Sequence, residues 1–344
     1  MHLIIRLVFG LMAFCLVGVT SVLGQPAKHA PAAPTGLVYH PDFLLHDAGP
    51  GHLERPERLK AIMAGLERSG LLESLVRIEP RLAAKQWLAQ IHTPAYLKEL
   101  EGAPRQLDPD TRLSPNSYRV AKLATGGILA AIDAVVAGKI RNAFAVIRPP
   151  GHHALPDRAM GFCLLNHVAI AARYIQKKHG LKRILIVDWD VHHGNGTQEV
   201  FYDDPSVLYF STHQFPYYPW SGDPDERGTG AGLGTTVNAP LWPGSGDASI
   251  LKAFREDLLP AAEAFRPDFV LISSGFDAHE RDPIAEMRIT TPGYAALTKI
   301  VAGIAERHAK GRLVSLLEGG YNLKALAQAT EAHLRALMNH PNTE

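Results

Sequence analysis

Asp190 and His192 stand two residues apart in the run DWDVHHGN (188–195). On an extended backbone, positions i and i+2 face the same side, so a carboxylate and an imidazole would meet there, with Asp188 one pleat deeper. Asp277, in SSGFD (273–277), can join them from a neighbouring strand end. Two carboxylates and one imidazole neutralise a divalent cation and leave a coordination position open. That is the donor set of a catalytic site for Zn²⁺ or another borderline metal. Such a metal polarises a carbonyl and lowers the pKa of bound water to about 7. The tandem His152-His153 fits as a pair of proton handlers, because histidine titrates near neutral pH. Each needs a partner for its second ring nitrogen, and Asp188 and Asn195 are the candidates. A carboxylate partner makes a histidine a stronger base and an amide leaves its pKa lower, which suits one base and one acid. Tyr321 follows Gly319-Gly320 and can donate its hydroxyl to a developing oxyanion. The two glycines would let the backbone approach a substrate closely.

These residues need elements to bring them together. Residues 144–147 (FAVI), 184–187 (ILIV), 269–272 (FVLI) and 313–317 (LVSLL) are continuous apolar runs, as expected of parallel strands covered on both faces. Residues 207–210 (VLYF) make a fifth. Helical patterns lie at 58–69, 117–137, 168–179, 249–265, 292–310 and 323–340. Alternation of strand and helix predicts an α/β doubly wound, mostly parallel sheet with helices on both faces. In such a sheet ligands bind beyond the carboxyl ends of the strands. Four of the five strands run directly into the motifs above. Each motif alone is weak evidence for a site, and their joint occurrence at four strand ends is strong evidence.

The rest of the composition narrows the function. The chain has 344 residues, with 35 Lys+Arg against 34 Asp+Glu, 17 His and two Cys. Near-neutral charge speaks against a nucleic-acid partner, and two Cys exclude a disulfide scaffold or a Cys-rich zinc module. After Arg6 comes an uncharged apolar run, residues 7–23, then Gly24 and small or turn-forming residues. This is the pattern of a secretory signal, residues 1–24, cleaved near Val22-Leu23-Gly24. The run is short for a stable membrane span. Export to the periplasm or exterior is therefore the expectation. Residues 25–35 read as a Pro/Ala linker, and one catalytic domain over 36–340 comes after it. Cleavage would leave Cys163 as the sole cysteine and 34 acidic residues facing an equal number of basic ones.

The motifs RPPGHHA (148–154), GFCLLN (161–166), DWDVHHGNGTQ (188–198), GFDAHERDP (275–283) and LEGGY (317–321) resemble those of the zinc-dependent histone deacetylase family, its bacterial amidohydrolase and acetylpolyamine amidohydrolase branches included. HLERPERL (52–59) and LDPDT (107–111) are similar to it as well. The resemblance spans most of the chain after residue 36. It implies the arginase/deacetylase fold, with Asp190, His192 and Asp277 as zinc ligands, His152 and His153 as the acid–base pair partnered by Asp188 and Asn195, and Tyr321 polarising the carbonyl. It implies an inner monovalent-cation site, usually potassium, at Asp188, Asp190, His192 and Ser211, with Thr212 supplying backbone. Gly161, Phe162 and Tyr218 look like channel residues, and Asp108, less surely Asp110, like the rim aspartate that holds substrate backbone. Ile284 occupies the place where a polyamine-selective relative carries an acidic gatekeeper. Trp220-Ser221 stands where Gly-Thr is usual.

The expected activity is removal of acetyl or another acyl group from lysine-type amines. An acetylpolyamine or other small-amide deacylase is the alternative. A catalytically idle zinc-containing binding protein would be expected to lack the Tyr or a His, and a binuclear arginase-like ureohydrolase would need a second ligand set.

Overall fold

Eight strands run parallel in one sheet of order β2-β1-β5-β10-β9-β6-β7-β8. They are β1 (Thr35–Val38), β2 (Val76–Ile78), β5 (Asn142–Ala145), β6 (Ile184–Asp188), β7 (Val207–Gln214), β8 (Thr236–Leu241), β9 (Phe269–Ser274) and β10 (Leu313–Leu317). A small antiparallel pair, β3 (Arg105–Gln106) and β4 (Arg112–Leu113), stands apart. The helices are α1 (Glu57–Arg68), α2 (Lys85–Leu88), α3 (Pro94–Leu100), α4 (Ser117–Val136), α5 (His167–His179), α6 (Asn195–Phe201), α7 (Asp247–Ala253), α8 (Leu259–Phe265), α9 (Thr291–Ala309) and α10 (Leu323–Met338). The computed structural model describes His2 and residues 33–339. Apart from His2, the expected leader and the linker up to residue 32 lie outside the described residues. The linker's last residue, Thr35, opens β1 instead, pairing with Asn142.

Every residue of β5, β6, β9 and β10 is buried, which explains their unbroken apolar runs. Strand β7 extends past the expected 207–210 because Ser211, Thr212, His213 and Gln214 are polar yet fully buried. Apolar patterning does not reveal β8, which contains Pro240. A proline is tolerated there because β8 is an edge strand. The helix expected over 249–265 is interrupted by a π turn at Phe254–Leu258. Pro260, just beyond it, removes one donor from the helical ladder. Asn166, Thr290 and Asn322 cap α5, α9 and α10 by accepting from the amide three residues on.

Adjacent strands β5, β10, β9, β6 and β7 thus end side by side. Their carboxyl ends carry His152-His153, Tyr321, Asp277, Asp190-Val191-His192 and Tyr217-Tyr218 to one edge of the sheet.

Candidate active site

Strand β6 stops at Asp188, and the residues after it are not extended. Asp188 Oδ1 accepts from Asp190 N (3.2 Å), and Asp190 Oδ1 accepts from His192 N (2.9 Å). Two successive Asx turns, rather than pleat alternation, therefore aim Asp190 and His192. The pairing expected of residues two apart is met by different backbone geometry. Ligand atoms of Asp190, His192 and Asp277 lie within 4.8 Å of one another. Among the described residues no other group of three metal-ligating side chains is found. His192 Nδ1 stands 3.0 Å from Asp190 Oδ1 and 3.3 Å from Asp277 Oδ2.

This donor set fits a divalent cation. Asp277 Oδ1 and Asp190 Oδ2 are occupied by the amides of Val191 and Gly319. Asp277 Oδ2 is buried and accepts no hydrogen bond, an orphan aimed into the cluster. Burial and the adjacent Asp190 push Asp277 up to about 7. Burial opposes charge on His192, but its hydrogen bond to Asp190 and the nearby Asp277 carboxylate raise it to about 9. Two buried carboxylates and an imidazole, with one carboxylate oxygen unpartnered, are the donor chemistry of a divalent-cation site. Gly319 is obligatory beside it, since a Cβ there would lie 2.0 Å from Asp277 Oδ2.

The histidine pair divides as its partners differ. His152 Nδ1 lies 3.0 Å from Asp188 Oδ2, which also accepts from the Tyr209 hydroxyl at 3.2 Å. Burial works against its charge, yet Asp188 and Asp190 raise its pKa to about 10. His153 Nδ1 lies 2.8 Å from Asn195 Oδ1. Burial, then the neighbouring His152 and His192, hold its pKa well below the ordinary value. His153 is thus the neutral member and His152 the charged one. The Asn195 amide donates in turn to Met160 Sδ at 3.3 Å. Gly161, at φ +57°, leaves room for the His153 ring, which a Cβ would approach to 2.4 Å.

Tyr321 is buried, and its amide donates to Asp282 Oδ2 at 2.6 Å. Burial raises its phenol well above the ordinary value, so the hydroxyl keeps its proton. Arg58 lies over the ring at 5.0 Å and donates from Nε to the Gly320 carbonyl at 2.7 Å. Gly320 does not line the pocket. Its φ of +120° serves the turn, and of the two glycines Gly319 is the one on the lining.

The pocket encloses about 190 Å³ and is lined by Asp110, Pro150, His152, His153, Gly161, Phe162, Asp190, His192, Tyr217, Tyr218, Ile284, Gly319 and Tyr321. Asp110, rather than the favoured Asp108, is the aspartate on the lining. Asp108 Oδ1 instead accepts from the Asp110 amide at 2.9 Å. Burial and Asp108 raise Asp110 to about 6. Phe162 is fixed by its amide bond to Thr111 Oγ1, 2.9 Å. Ser211 pairs in register with Asp188, and the Thr212 hydroxyl is buried without a partner.

Several supporting residues carry no role legible in the sequence. Glu318 Oε2 accepts from the amides of Gly151 (2.6 Å) and His152 (3.3 Å), and Oε1 from Ser273 Oγ (2.9 Å). It therefore ties three strand ends together. Arg148 holds both Glu54 oxygens at 2.8 Å, and Arg58 reaches Glu54 and the Glu318 carbonyl. Tyr217 stacks on His192 (5.6 Å, 22°) and donates its hydroxyl to the Ile284 carbonyl. Glu54, Arg58, Asp282 and Glu318 all fall inside the family-like motifs. For Glu318, a charge directly after an apolar strand was the available signal; Tyr217 offered none.

Residues 52–337 match the histone deacetylase domain model. A probable deacetylase of Archaeoglobus fulgidus is 43% identical over 309 residues, covering 88% of this chain and 86% of that one. Human polyamine deacetylase HDAC10 is 41% identical over 89% of this chain, which spans 48% of the human protein's length. The crystal structure of the HDA15 HD domain superposes with a TM-score of 0.85 at 39% identity, covering 90% of each chain. The fold is thus the arginase/deacetylase fold and the protein is an enzyme acting on amide bonds. This chain belongs to the histone deacetylase family.

Proposed function

We propose that this protein removes acetyl or another acyl group from the amine of a lysine-type chain, with zinc held by Asp190, His192 and Asp277. The observation that carries the reading is that Asp190 and His192, the His152-His153 pair and Tyr321 line one pocket, with Asp277 clustered against the first two. When bound, zinc supplies a Lewis acid that polarises the acyl carbonyl and acidifies water.

The chain's own residues do the rest. Phe162 and Tyr218 wall the channel and exclude water from an aliphatic amine chain. Neutral His153, oriented by Asn195, takes the proton from the attacking water at Nε2 and delivers it to the leaving amine nitrogen. His152, held charged by Asp188, stabilises the negative charge that develops on the carbonyl oxygen. Tyr321 donates its hydroxyl proton in a hydrogen bond to that same oxygen.

Two ancillary readings belong with this one. Potassium at Asp188, Asp190, His192, Ser211 and Thr212 is supported by the Asp188–Ser211 register. Export rests on residues 1–24 alone. No helix among the described residues is long and apolar enough to cross a membrane. An acyl-amide substrate panel with zinc quantified in the same sample tests the function. Hydrolysis of acetyl-lysine peptides at one zinc per chain is the expected result. Inactivity of a zinc-loaded sample on every acylated amine would overturn it. Fusing residues 1–30 to an export reporter tests localisation, and a reporter retained in the cytoplasm rejects export.

A further inference from the structure

Trp220 sits on a backbone that disfavours it. Its φ is +65°, in the left-handed region where a residue with a Cβ is uncommon. Packing gives nothing in return, because the side chain is 74% exposed. A large apolar ring in water on a disfavoured backbone points to a task at that position.

The surroundings hold this conformation in place. Trp220 N donates to the Tyr217 carbonyl at 2.7 Å, closing a turn whose Tyr217 and Tyr218 line the pocket. On the other side, Ser221 Oγ lies 2.8 Å from His193 Nδ1. The Gly222 carbonyl accepts from His213 Nε2 at 2.9 Å, and its amide donates to Glu226 at 3.1 Å. His193 and His213 are buried, with ring centres 4.9 Å apart, and neither lines the pocket. They clamp the segment immediately after Trp220, as the pocket wall clamps the segment before it. The backbone that carries the indole is therefore fixed, one turn from the tyrosines that line the pocket.

An exposed ring outside the channel can touch only those substrate atoms that remain outside. The adjoining wall is apolar at Ile284, whose carbonyl accepts the Tyr217 hydroxyl. Trp242, exposed to a similar degree at 73%, lies on a loop joined to this wall by the bond from Gly244 N to the Glu286 carbonyl. Indole faces complement peptide planes and apolar side chains. We propose that Trp220 is a specificity-determining residue that stacks on the chain flanking an acylated lysine, making a peptide the preferred substrate over a free small amine. This rests on the amide-hydrolysis reading above.

The test uses the zinc-loaded full chain as wild type, Trp220→Gly and Trp220→Phe, with an acetyl-lysine pentapeptide and acetylputrescine as substrates. Glycine accepts the left-handed backbone, so Trp220→Gly should melt no lower than wild type. The pentapeptide KM should rise about five-fold in Trp220→Gly, equivalent to ~1 kcal/mol, and clearly more than the acetylputrescine KM. Peptide kcat should hold, and Trp220→Phe should fall between. Calorimetric binding of the deacetylated pentapeptide, which needs no turnover, should weaken by the same factor. Equal KM shifts for the two substrates, or an unchanged peptide Kd, would overturn the assignment. Wild-type inactivity on both substrates, with peptide binding still weakened in Trp220→Gly, would support the contact while removing the amide-hydrolysis reading.

Discussion

His153 Nδ1 lies 2.8 Å from Asn195 Oδ1, so the base of the proposed reaction is oriented by a neutral amide. The residue beside it, His152, leans on a carboxylate. This asymmetry keeps one ring neutral and the other charged at the same pH. Replacing Asn195 by Asp adds a negative charge against His153 and raises its pKa. A base works only when unprotonated, so the acid limb of kcat/KM should move to higher pH. A pH–rate profile measures it, and an unmoved acid limb in Asn195→Asp would remove His153 from the role of base.

Tyr321→Phe deletes one hydroxyl while keeping the ring against Arg58 and Phe162. Loss of a single oxyanion donor typically costs about 10²–10³ in kcat. Turnover of an acetyl-lysine reporter should drop by that order while zinc content stays at the wild-type level. Full activity in Tyr321→Phe would show that the phenol does not act on the oxyanion.

Gly319→Ala should act through the metal. The added Cβ meets Asp277 Oδ2 at 2.0 Å and Asp190 Oδ2 at 2.7 Å, so both carboxylates must shift. Zinc affinity should fall at least ten-fold, approaching the loss expected of Asp190→Ala. Metal analysis after dialysis against a weak chelator reads this directly. Wild-type zinc retention in Gly319→Ala would place the metal elsewhere.

Much of the histidine excess is structural, and it sets an acid sensitivity. Burial lowers His46, His92 and His167 to about 4 and His333 to about 3, from 6.5. Between pH 6.5 and 4 the unfolded chain binds protons that the folded chain refuses. Stability therefore falls as pH drops through that window and is insensitive to these groups above it. Each unit of separation is worth about 1.4 kcal/mol. Between pH 7 and pH 5, His333→Gln should lose less Tm than wild type, because it lacks one of these suppressed protonations. An identical pH dependence in the variant would show that His333 does not contribute.

Much of this protein was legible in one dimension. The buried strands β5, β6, β9 and β10 announce themselves as apolar runs because a sheet covered on both faces must be apolar on both. The cluster at their ends was foreshadowed because Asp190 and His192, or His152 and His153, are close in sequence. Residues whose work depends on distant partners were not readable. Glu318 is an isolated acid until folding places it under the amides of Gly151 and His152. The choice between Asp108 and Asp110 needed the turn in which one carboxylate caps the other's amide. Which histidine carries the charge also waited on tertiary structure, because burial and the carboxylates of Asp188 and Asp190 act through space. Residue types and spacing pointed to a metal and acid–base groups acting on a carbonyl, and the family resemblance added the reaction class; long-range packing decided protonation, orientation and the shape of the rim, since those depend on distances that a sequence does not contain.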